Sequence, residues 1–139
     1  VDLLISLYDK ESDMNIKEKL IFGFGQNKKS KAAQDKLIAI ARSDKDAKAR
    51  EQAVFWLGQN RSAELLPLLV DMYNQSDEAK VKSRLIMSIA QNKSKESIPT
   101  LIGIARKEKD PELQRHIIIF LGRSKDEAAL KYLQEIIEK

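Results

Sequence analysis

The chain has 139 residues, of which 42% are hydrophobic and only 6% aromatic, so it can bury one substantial core of mainly aliphatic side chains. It has no cysteine, which excludes disulfide bonds, a catalytic thiol and thiolate metal sites. Its 25 cationic side chains are interleaved with 21 anionic ones, and the net charge of +4 favours a mixed solvated surface over a nucleic-acid footprint. No apolar run is long enough to span a membrane, and nothing in the sequence indicates a compartment.

Apolar residues recur at spacings of three and four, which predicts amphipathic helices throughout an all-α protein. The odd-numbered helices are termed A helices and the even-numbered ones B helices, since they alternate in pairs. In chain order we predict nine helices, at residues 1–10, 14–26, 31–42, 47–59, 63–74, 78–91, 95–107, 111–123 and 126–138.

One segment recurs in all four B helices. It begins at residues 17, 50, 82 and 114 and reads KEKLIFGFGQN, REQAVFWLGQN, KSRLIMSIAQN and QRHIIIFLGRS. The starts lie 33, 32 and 32 residues apart, and self-similarity at such a period predicts stacked helix pairs that bury their apolar faces against their neighbours. We expect a single repeat domain over residues 1–139. Its units are about 1–27, 28–60, 61–92 and 93–124, followed by a terminal helix at 125–139.

Cap residues recur with the same period. An acidic residue stands before each B helix, and the three aspartates among the four are expected to accept hydrogen bonds from the first N–H groups of the helix. These residues are Asp13, Asp46, Glu78 and Asp110. An asparagine ends three of the B helices, where we expect the left-handed conformation that often terminates a helix. These residues are Asn27, Asn60 and Asn92.

A small residue recurs inside each B helix, where glycine costs about 1 kcal/mol relative to alanine. Such a residue predicts a close approach of the neighbouring A helix. The four residues are Gly25, Gly58, Ala90 and Gly122.

The B segments, the acidic position and a cation four residues after it resemble the HEAT-repeat family, specifically its short bacterial form, which is similar to repeats of the phycobilisome-lyase group. The cation is Lys17, Arg50 or Lys82, and Gln114 departs from the pattern. The resemblance covers the whole chain and implies a right-handed α-α superhelix, or solenoid, of about four helix pairs plus a terminal helix. It also implies that B helices line the concave side and that acid and base bond along the stack, for which Asp46 with Arg50 fits best. Family membership alone does not identify a ligand.

Four positions of each B helix point away from the predicted buried face at about 100° per residue. The centres of that buried face are Leu20, Ala53, Leu85 and Ile117. On the concave side the outward positions would form a groove with an apolar floor and cationic or amide edges. We name this candidate site the B-helix groove. Its residues are Lys19, Phe22, Gln26, Gln52, Phe55, Trp56, Gln59, Arg84, Met87, Gln91, His116, Phe120 and Arg123.

Two interpretations of the apolar floor remain open. One position is apolar in every repeat and either fills the seam between repeats or contacts a ligand. Its residues are Phe22, Phe55, Met87 and Ile119. Trp56 differs, because its counterparts Gly23, Ser88 and Phe120 share no single packing role. We therefore consider Trp56 a candidate binding anchor, since tryptophan is enriched at interface hot spots.

We expect no enzymatic activity, no cofactor and no metal. His116 is the only histidine, and the sequence shows no nucleophile, second titrating group or further metal ligand to act with it. The groove instead predicts a non-catalytic scaffold that binds a protein or peptide segment, with aromatic anchors and with amides that bond an extended backbone. A phycobilin-lyase-like role would rest on family analogy alone.

The alternative function is binding of nucleic acid or another polyanion through Lys19, Arg84 and a basic edge formed by the B-to-A turns. The edge residues are Lys28, Lys29, Lys31, Arg61, Lys93, Lys95, Arg123 and Lys125.

The two ends of the repeat array are expected to expose apolar faces. The last helix carries such a face at Leu130, Leu133, Ile136 and Ile137. Because the chain begins at Val1 and not at a methionine, we expect it to be a fragment of a longer chain. Stacked repeats need polar caps for solubility, so we predict end-to-end self-association of the fragment.

Overall fold

The structure, a computed structural model, describes residues 2–138, so Val1 and Lys139 at the ends of the predicted repeat domain lie outside it. The regular structure of these residues is entirely helical, with nine α-helices and a 3-10 turn at Ala63–Leu65. The α-helices are Asp2–Lys10 (α1), Met14–Gln26 (α2), Lys31–Ser43 (α3), Ala47–Gln59 (α4), Leu66–Gln75 (α5), Ala79–Gln91 (α6), Ser97–Lys107 (α7), Pro111–Ser124 (α8) and Glu127–Glu138 (α9). The predicted fold class, helix pairs of an α-α solenoid, is confirmed.

The helices form two compact units, Val1–Asn60 (unit 1) and Arg61–Lys139 (unit 2). In unit 1 the B helices α2 and α4 pack together, α1 contacts α3, and α3 pairs with α4. In unit 2 the B helices α6 and α8 pack together, α7 contacts α9, and α5 and α7 pair with α6 and α8. Each unit therefore has a layer of A helices and a layer of B helices. The boundary between the units coincides with the one predicted between the second and third repeats, while a single domain over the whole chain stays a prediction.

The core of each unit lies between its two layers. Three of the four predicted centres of the B-helix faces, Ala53, Leu85 and Ile117, have no exposed surface, and Leu20 is half-buried. The aliphatic stripes therefore drive the pairing, because apolar burial is the main favourable term in folding.

The acidic N-cap residues do not all cap their helices. Asp13 accepts hydrogen bonds from the backbone N–H of Asn15 at 2.8 Å and of Ile16 at 3.4 Å, and Asp110 caps α8 in the same way. The cap predicted at Asp46 is wrong, because its carboxylate accepts no capping hydrogen bond from the first N–H groups of α4. It accepts a hydrogen bond from Lys17 Nζ at 2.8 Å instead.

The left-handed conformation predicted for the three asparagines is also wrong. Their φ angles are −92° at Asn27, −87° at Asn60 and −64° at Asn92. These residues act through their side chains: Asn27 Nδ2 donates to the carbonyl of Gly23 at 2.8 Å, and Asn92 Nδ2 donates to the carbonyl of Ser62 at 2.7 Å. The asparagine in the third B-to-A turn thereby fastens that turn to the preceding one.

Candidate functional site

A buried polar cluster joins the two repeats of unit 1, and the sequence analysis did not identify it. Lys17 in α2 is only 3% exposed, and its Nζ lies 2.9 Å from Asp44 Oδ1 and 2.8 Å from Asp46 Oδ2. Tyr8 OH donates a hydrogen bond to Asp44 Oδ2 at 2.5 Å. We name these four residues the Tyr8 cluster. It connects α1 and α2 of the first repeat to the loop before α4 of the second.

The electrostatics of the Tyr8 cluster favour the ionised forms of its acid and base. Burial alone would raise the pKa of Asp44, but the hydrogen bonds from Tyr8, the backbone of Asp46 and Lys17 outweigh it and hold that pKa below its usual range. Burial likewise opposes the charge of Lys17, yet its bonds to Asp46 and Asp44 raise its pKa. Burial and the bond to Asp44 raise the pKa of Tyr8, so its hydroxyl stays protonated.

Unit 2 contains an equivalent arrangement two repeats along the chain, which we name the Tyr73 cluster (Tyr73, Lys82 and Glu108). Tyr73 OH donates to Glu108 Oε1, and Lys82 Nζ lies 3.5 Å from the same oxygen. Lys82 is 23% exposed, so this ion pair is more solvated than the one at Lys17. Burial would raise the pKa of Glu108, but the bond from Tyr73, the backbone N–H of Asp110 and the charge of Lys82 lower it.

An acid and a base of neighbouring repeats bond to each other along the stack. Asp46 bonds to Lys17 of the preceding repeat, and the predicted pair of Asp46 with Arg50 stays a prediction. Arg50 Nη1 donates to the backbone carbonyl of Asp44, and Gln114 Nε2 donates to that of Glu108 at 2.5 Å. An amide therefore replaces the guanidinium at this contact, which explains how the repeat tolerates Gln114.

Three aromatic rings meet on the B-helix surface of unit 1. The centroids of Phe22 and Trp56 are 5.2 Å apart at an interplanar angle of 87°, and those of Phe55 and Trp56 are 5.2 Å apart at 84°. Both contacts are edge-to-face, which is a preferred geometry of aromatic pairs. Phe22 is 52% exposed, and the other two residues are half-buried. We name these residues the aromatic cluster.

The close approach at Gly25 is made by this cluster and not by an A helix. A Cβ atom built on Gly25 would lie 2.5 Å from the ring of Trp56, which belongs to the B helix α4. A Cβ atom on Gly122 would meet no atom within 4 Å, so the predicted contact with an A helix is wrong at both positions. Gly25 is needed because the Trp56 ring lies directly on the backbone of α2.

Polar side chains flank the aromatic cluster. Lys19 and Gln26 of α2 are exposed, and Gln59 of α4 is half-buried. Gln52 Nε2 donates to Glu18 Oε1 at 3.2 Å, which joins the two B helices beside the rings. The seven groove residues predicted in unit 1 therefore occupy one surface formed by α2 and α4, and none of them is fully buried.

The B-helix surface of unit 2 is more polar. Its predicted residues are all exposed or half-buried: Arg84, Met87, Gln91, His116, Phe120 and Arg123. His116 Nδ1 lies 3.0 Å from Ser83 Oγ, a neighbour that the sequence analysis missed, since they are 33 positions apart on adjacent helices. Glu112 Oε2 lies 4.0 Å from His116 Nε2, which is beyond hydrogen-bonding distance. Gln91 Oε1 is buried without a hydrogen-bond partner among the described residues.

The cations predicted to form a basic edge all have exposed side chains. In unit 1 Lys31 forms an ion pair with Asp35 at 2.7 Å. In unit 2 the backbone N–H of Lys93 donates to the carbonyl of Arg61 at 3.0 Å, so these two turns are adjacent.

Apolar side chains are also exposed on the first and last helices, notably Leu3 in α1 and Leu130 and Ile137 in α9. Leu133 is half-buried. End-to-end association stays a prediction. Within residues 2–138, no helix is both long and apolar enough to cross a membrane, and no group of three His, Cys, Asp or Glu side chains is arranged to hold a metal ion.

Comparison with known proteins identifies the repeat. The family model for HEAT repeats matches residues 70–139, which is half of the chain. No curated protein sequence matches the chain. HEAT repeats are generally scaffolds for protein interactions. The recurring B segments, the helix pairs of both units and this match together show that the chain belongs to the HEAT-repeat family.

Proposed function

We propose that this chain is a non-catalytic scaffold that binds a protein or peptide segment on its B-helix groove, with the aromatic cluster as the anchor. The observation that carries the proposal is the exposure of Phe22, which is 52% exposed beside the half-buried Trp56. Apolar surface removed from water contributes about 25 cal/mol per Å². A partner that covers this ring would therefore gain affinity from surface that the folded chain leaves in water.

The geometry of the rings also favours binding. Phe22 and Phe55 each contact Trp56 edge-to-face, and Trp56 is held against Gly25. Rings fixed in this way lose little side-chain freedom when a partner binds, which lowers the entropic cost of association. Tryptophan anchors of this kind dominate many interfaces.

The polar flank suggests how a peptide backbone is held. Gln26 and Gln59 present amide groups at corresponding positions of α2 and α4. An amide can donate and accept at once, so a row of them suits an extended segment whose backbone presents both groups. Lys19 adds a cation at the other end of the exposed strip of α2.

We propose no catalytic role for the pair of Ser83 and His116. A serine nucleophile requires a base that a third group orients, together with donors for the charge that develops on the substrate. The carboxylate of Glu112 is 4.0 Å from the imidazole, and the imidazole side chain is 39% exposed, so this carboxylate does not orient the imidazole. The pair is better explained as a hydrogen bond that joins α6 to α8.

The proposal is tested with peptides selected on the wild-type protein from a displayed random library. Phe22→Ser should weaken the selected peptides by about tenfold or more, since one anchor contributes 1–2 kcal/mol or more. Ile119→Ser is the matched control, because Ile119 holds the same repeat position in unit 2 and is 43% exposed. Equal loss in both variants, or no loss in Phe22→Ser, would contradict the proposal.

Binding of nucleic acid is the second candidate, and the exposure of all eight turn cations favours it. Duplex and single-stranded DNA are titrated at low and physiological salt against the wild type and Lys28→Glu/Lys29→Glu. Tight binding that weakens steeply with salt, and with a shallower slope in the variant, would support this function. Absence of binding at low salt would remove it.

A further inference from the structure

Each unit has a cleft beside the tyrosine of its polar cluster, on the side of the A helices. The cleft of unit 1 has a volume of about 360 Å³ and that of unit 2 about 480 Å³. The residues around them occupy equivalent repeat positions, so Tyr8 corresponds to Tyr73 and Asp44 to Glu108. The two clefts are therefore versions of one structural feature, and their differences can be compared residue by residue.

The cleft of unit 1 is crossed by an ion pair. Lys36 Nζ of α3 bonds to the carboxylate of Asp9 at the end of α1, and it lies 5.2 Å from the centroid of the Tyr8 ring. The Lys36 side chain is only 16% exposed, so it fills space that would otherwise be open. The side chain of Lys36 therefore occupies the cleft of unit 1.

The cleft of unit 2 has no such ion pair, because Thr100 and Asn74 stand where unit 1 has Lys36 and Asp9. Its floor is formed by Val70 and Ile104 and by Gly103, where a built Cβ atom would meet nothing within 4 Å. A volume of this size is within the range of small-molecule sites. The floor can therefore receive an apolar group of a few carbon atoms.

The wall of the same cleft is positively charged. Lys107 and Lys109 line it, and neither forms an ion pair with another residue in the described part of the chain. Ser43 and Lys45 hold these positions in unit 1, so Lys107 places an ammonium group where unit 1 has a serine hydroxyl.

The nearby carboxylates do not compensate these charges. Glu108 is engaged by Tyr73 OH, by Lys82, and by the backbone N–H groups of Lys109 and Asp110 at 3.1 Å. The side chain of Asp110 caps α8 through the N–H of Glu112 at 2.9 Å. The free charge that faces a ligand in this cleft is therefore positive.

We propose that the cleft between α5 and α7 binds a small organic anion, a carboxylate joined to an apolar body. The body lies on Val70, Gly103 and Ile104, and the carboxylate accepts hydrogen bonds from the ammonium groups of Lys107 and Lys109. This site is on the A-helix side and is independent of the B-helix groove. The same chemistry is offered by a free carboxylate and by an acidic side chain beside an apolar one in a peptide.

Nuclear magnetic resonance titration of the full chain tests the proposal, with the amide signals of Thr100 and Gly103 as reporters. The probes are hexanoate, its neutral analogue hexanol, acetate, and a capped Leu-Glu-Leu peptide. Hexanoate should shift the reporters and bind about fivefold or more tighter than hexanol or acetate, because only hexanoate has both the charge and the apolar body. Tighter binding of the peptide than of hexanoate would assign the site to an acidic segment of a partner, and the reverse order to a free small molecule.

The matched variant gives unit 2 the two residues that form the ion pair in the cleft of unit 1. Asn74→Asp with Thr100→Lys installs the ion pair that crosses the first cleft, and it should abolish the shift of Gly103, the reporter that the variant retains, while the melting temperature is kept. Lys107→Ala should weaken hexanoate but not hexanol. The proposal is overturned if the reporters do not move with hexanoate or the peptide, if hexanol acts equally, or if the shifts persist in the folded double variant.

Discussion

Units 1 and 2 each contain a similar polar cluster, and they differ on their B-helix surfaces. In both units a tyrosine and a lysine of one repeat converge on a carboxylate of the next, at equivalent positions. The B-helix surface of unit 1 carries three contacting rings, whereas that of unit 2 carries the pair of Ser83 and His116. The contacts that recur hold neighbouring repeats together, whereas the B-helix surfaces differ between the units.

The lysine of the Tyr8 cluster is more buried than that of the Tyr73 cluster, and the largest expected effect on stability follows from this difference. Lys17 is 3% exposed and bonds two carboxylates, so Lys17→Met leaves buried charge uncompensated and should cost about 3–5 kcal/mol. Lys82 is 23% exposed and lies 3.5 Å from one carboxylate, so Lys82→Met should cost about 1 kcal/mol. Urea denaturation of both variants measures the difference. Equal losses would show that the Tyr8 cluster is not the more tightly held one.

Two glycines of α2 allow the effect of packing on stability to be measured apart from the effect of helix propensity. Gly25→Ala places a Cβ atom 2.5 Å from the Trp56 ring and should cost about 1–3 kcal/mol through displacement of that ring. Gly23→Ala is the control, because its Cβ atom meets nothing, and it should gain up to about 1 kcal/mol from helix propensity. Thermal denaturation gives both values, and stabilisation by Gly25→Ala would contradict the contact of Trp56 with the backbone.

The shared clusters also predict a loss of stability in acid. The folded pKa values of Asp44 and Glu108 are depressed, so between those values and the unfolded values of about 4 the unfolded chain binds more protons. Their contribution is complete above about pH 5 and is lost as the pH falls through the folded pKa values. The free energy of unfolding should decrease over this range. Tyr8→Phe with Tyr73→Phe removes a donor from each carboxylate, so a pH profile as steep as the wild type would contradict this account.

The smallest expected effect on stability is at the surface that differs between the units. Phe22→Ala should cost less than about 1 kcal/mol, because Phe22 is 52% exposed. Phe24→Ala, two residues further along α2, should cost about 3–5 kcal/mol, since Phe24 is fully buried. Chemical denaturation of the pair distinguishes a surface ring from a core ring. A loss at Phe22 as large as at Phe24 would mean that Phe22 serves mainly to fill the seam between repeats.

The sequence predicted the helices well because their apolar period repeats four times, and the outward residues of α2 and α4 followed from the same period. It did not predict which acid each lysine reaches. Lys17 bonds Asp46 of the next repeat, a choice set by how far the helices are offset and not by spacing within one repeat. The ring of Trp56 over Gly25 was missed for the same reason, since a helical period fixes the face of a residue but not the rotamer that crosses to a neighbour.

Trp56 provides the most direct test of the central claim, because it is the only tryptophan and lies within the aromatic cluster. Its emission and its quenching by acrylamide are followed while a peptide selected on the wild type is titrated, with Phe22→Ser and Ile119→Ser in parallel. We predict that the bound peptide shifts the emission to shorter wavelength and protects Trp56 from acrylamide in the wild type and in Ile119→Ser, and that neither change occurs in Phe22→Ser at the same concentration. Binding that leaves the emission and the quenching of Trp56 unchanged would contradict the claim that the aromatic cluster is the anchor.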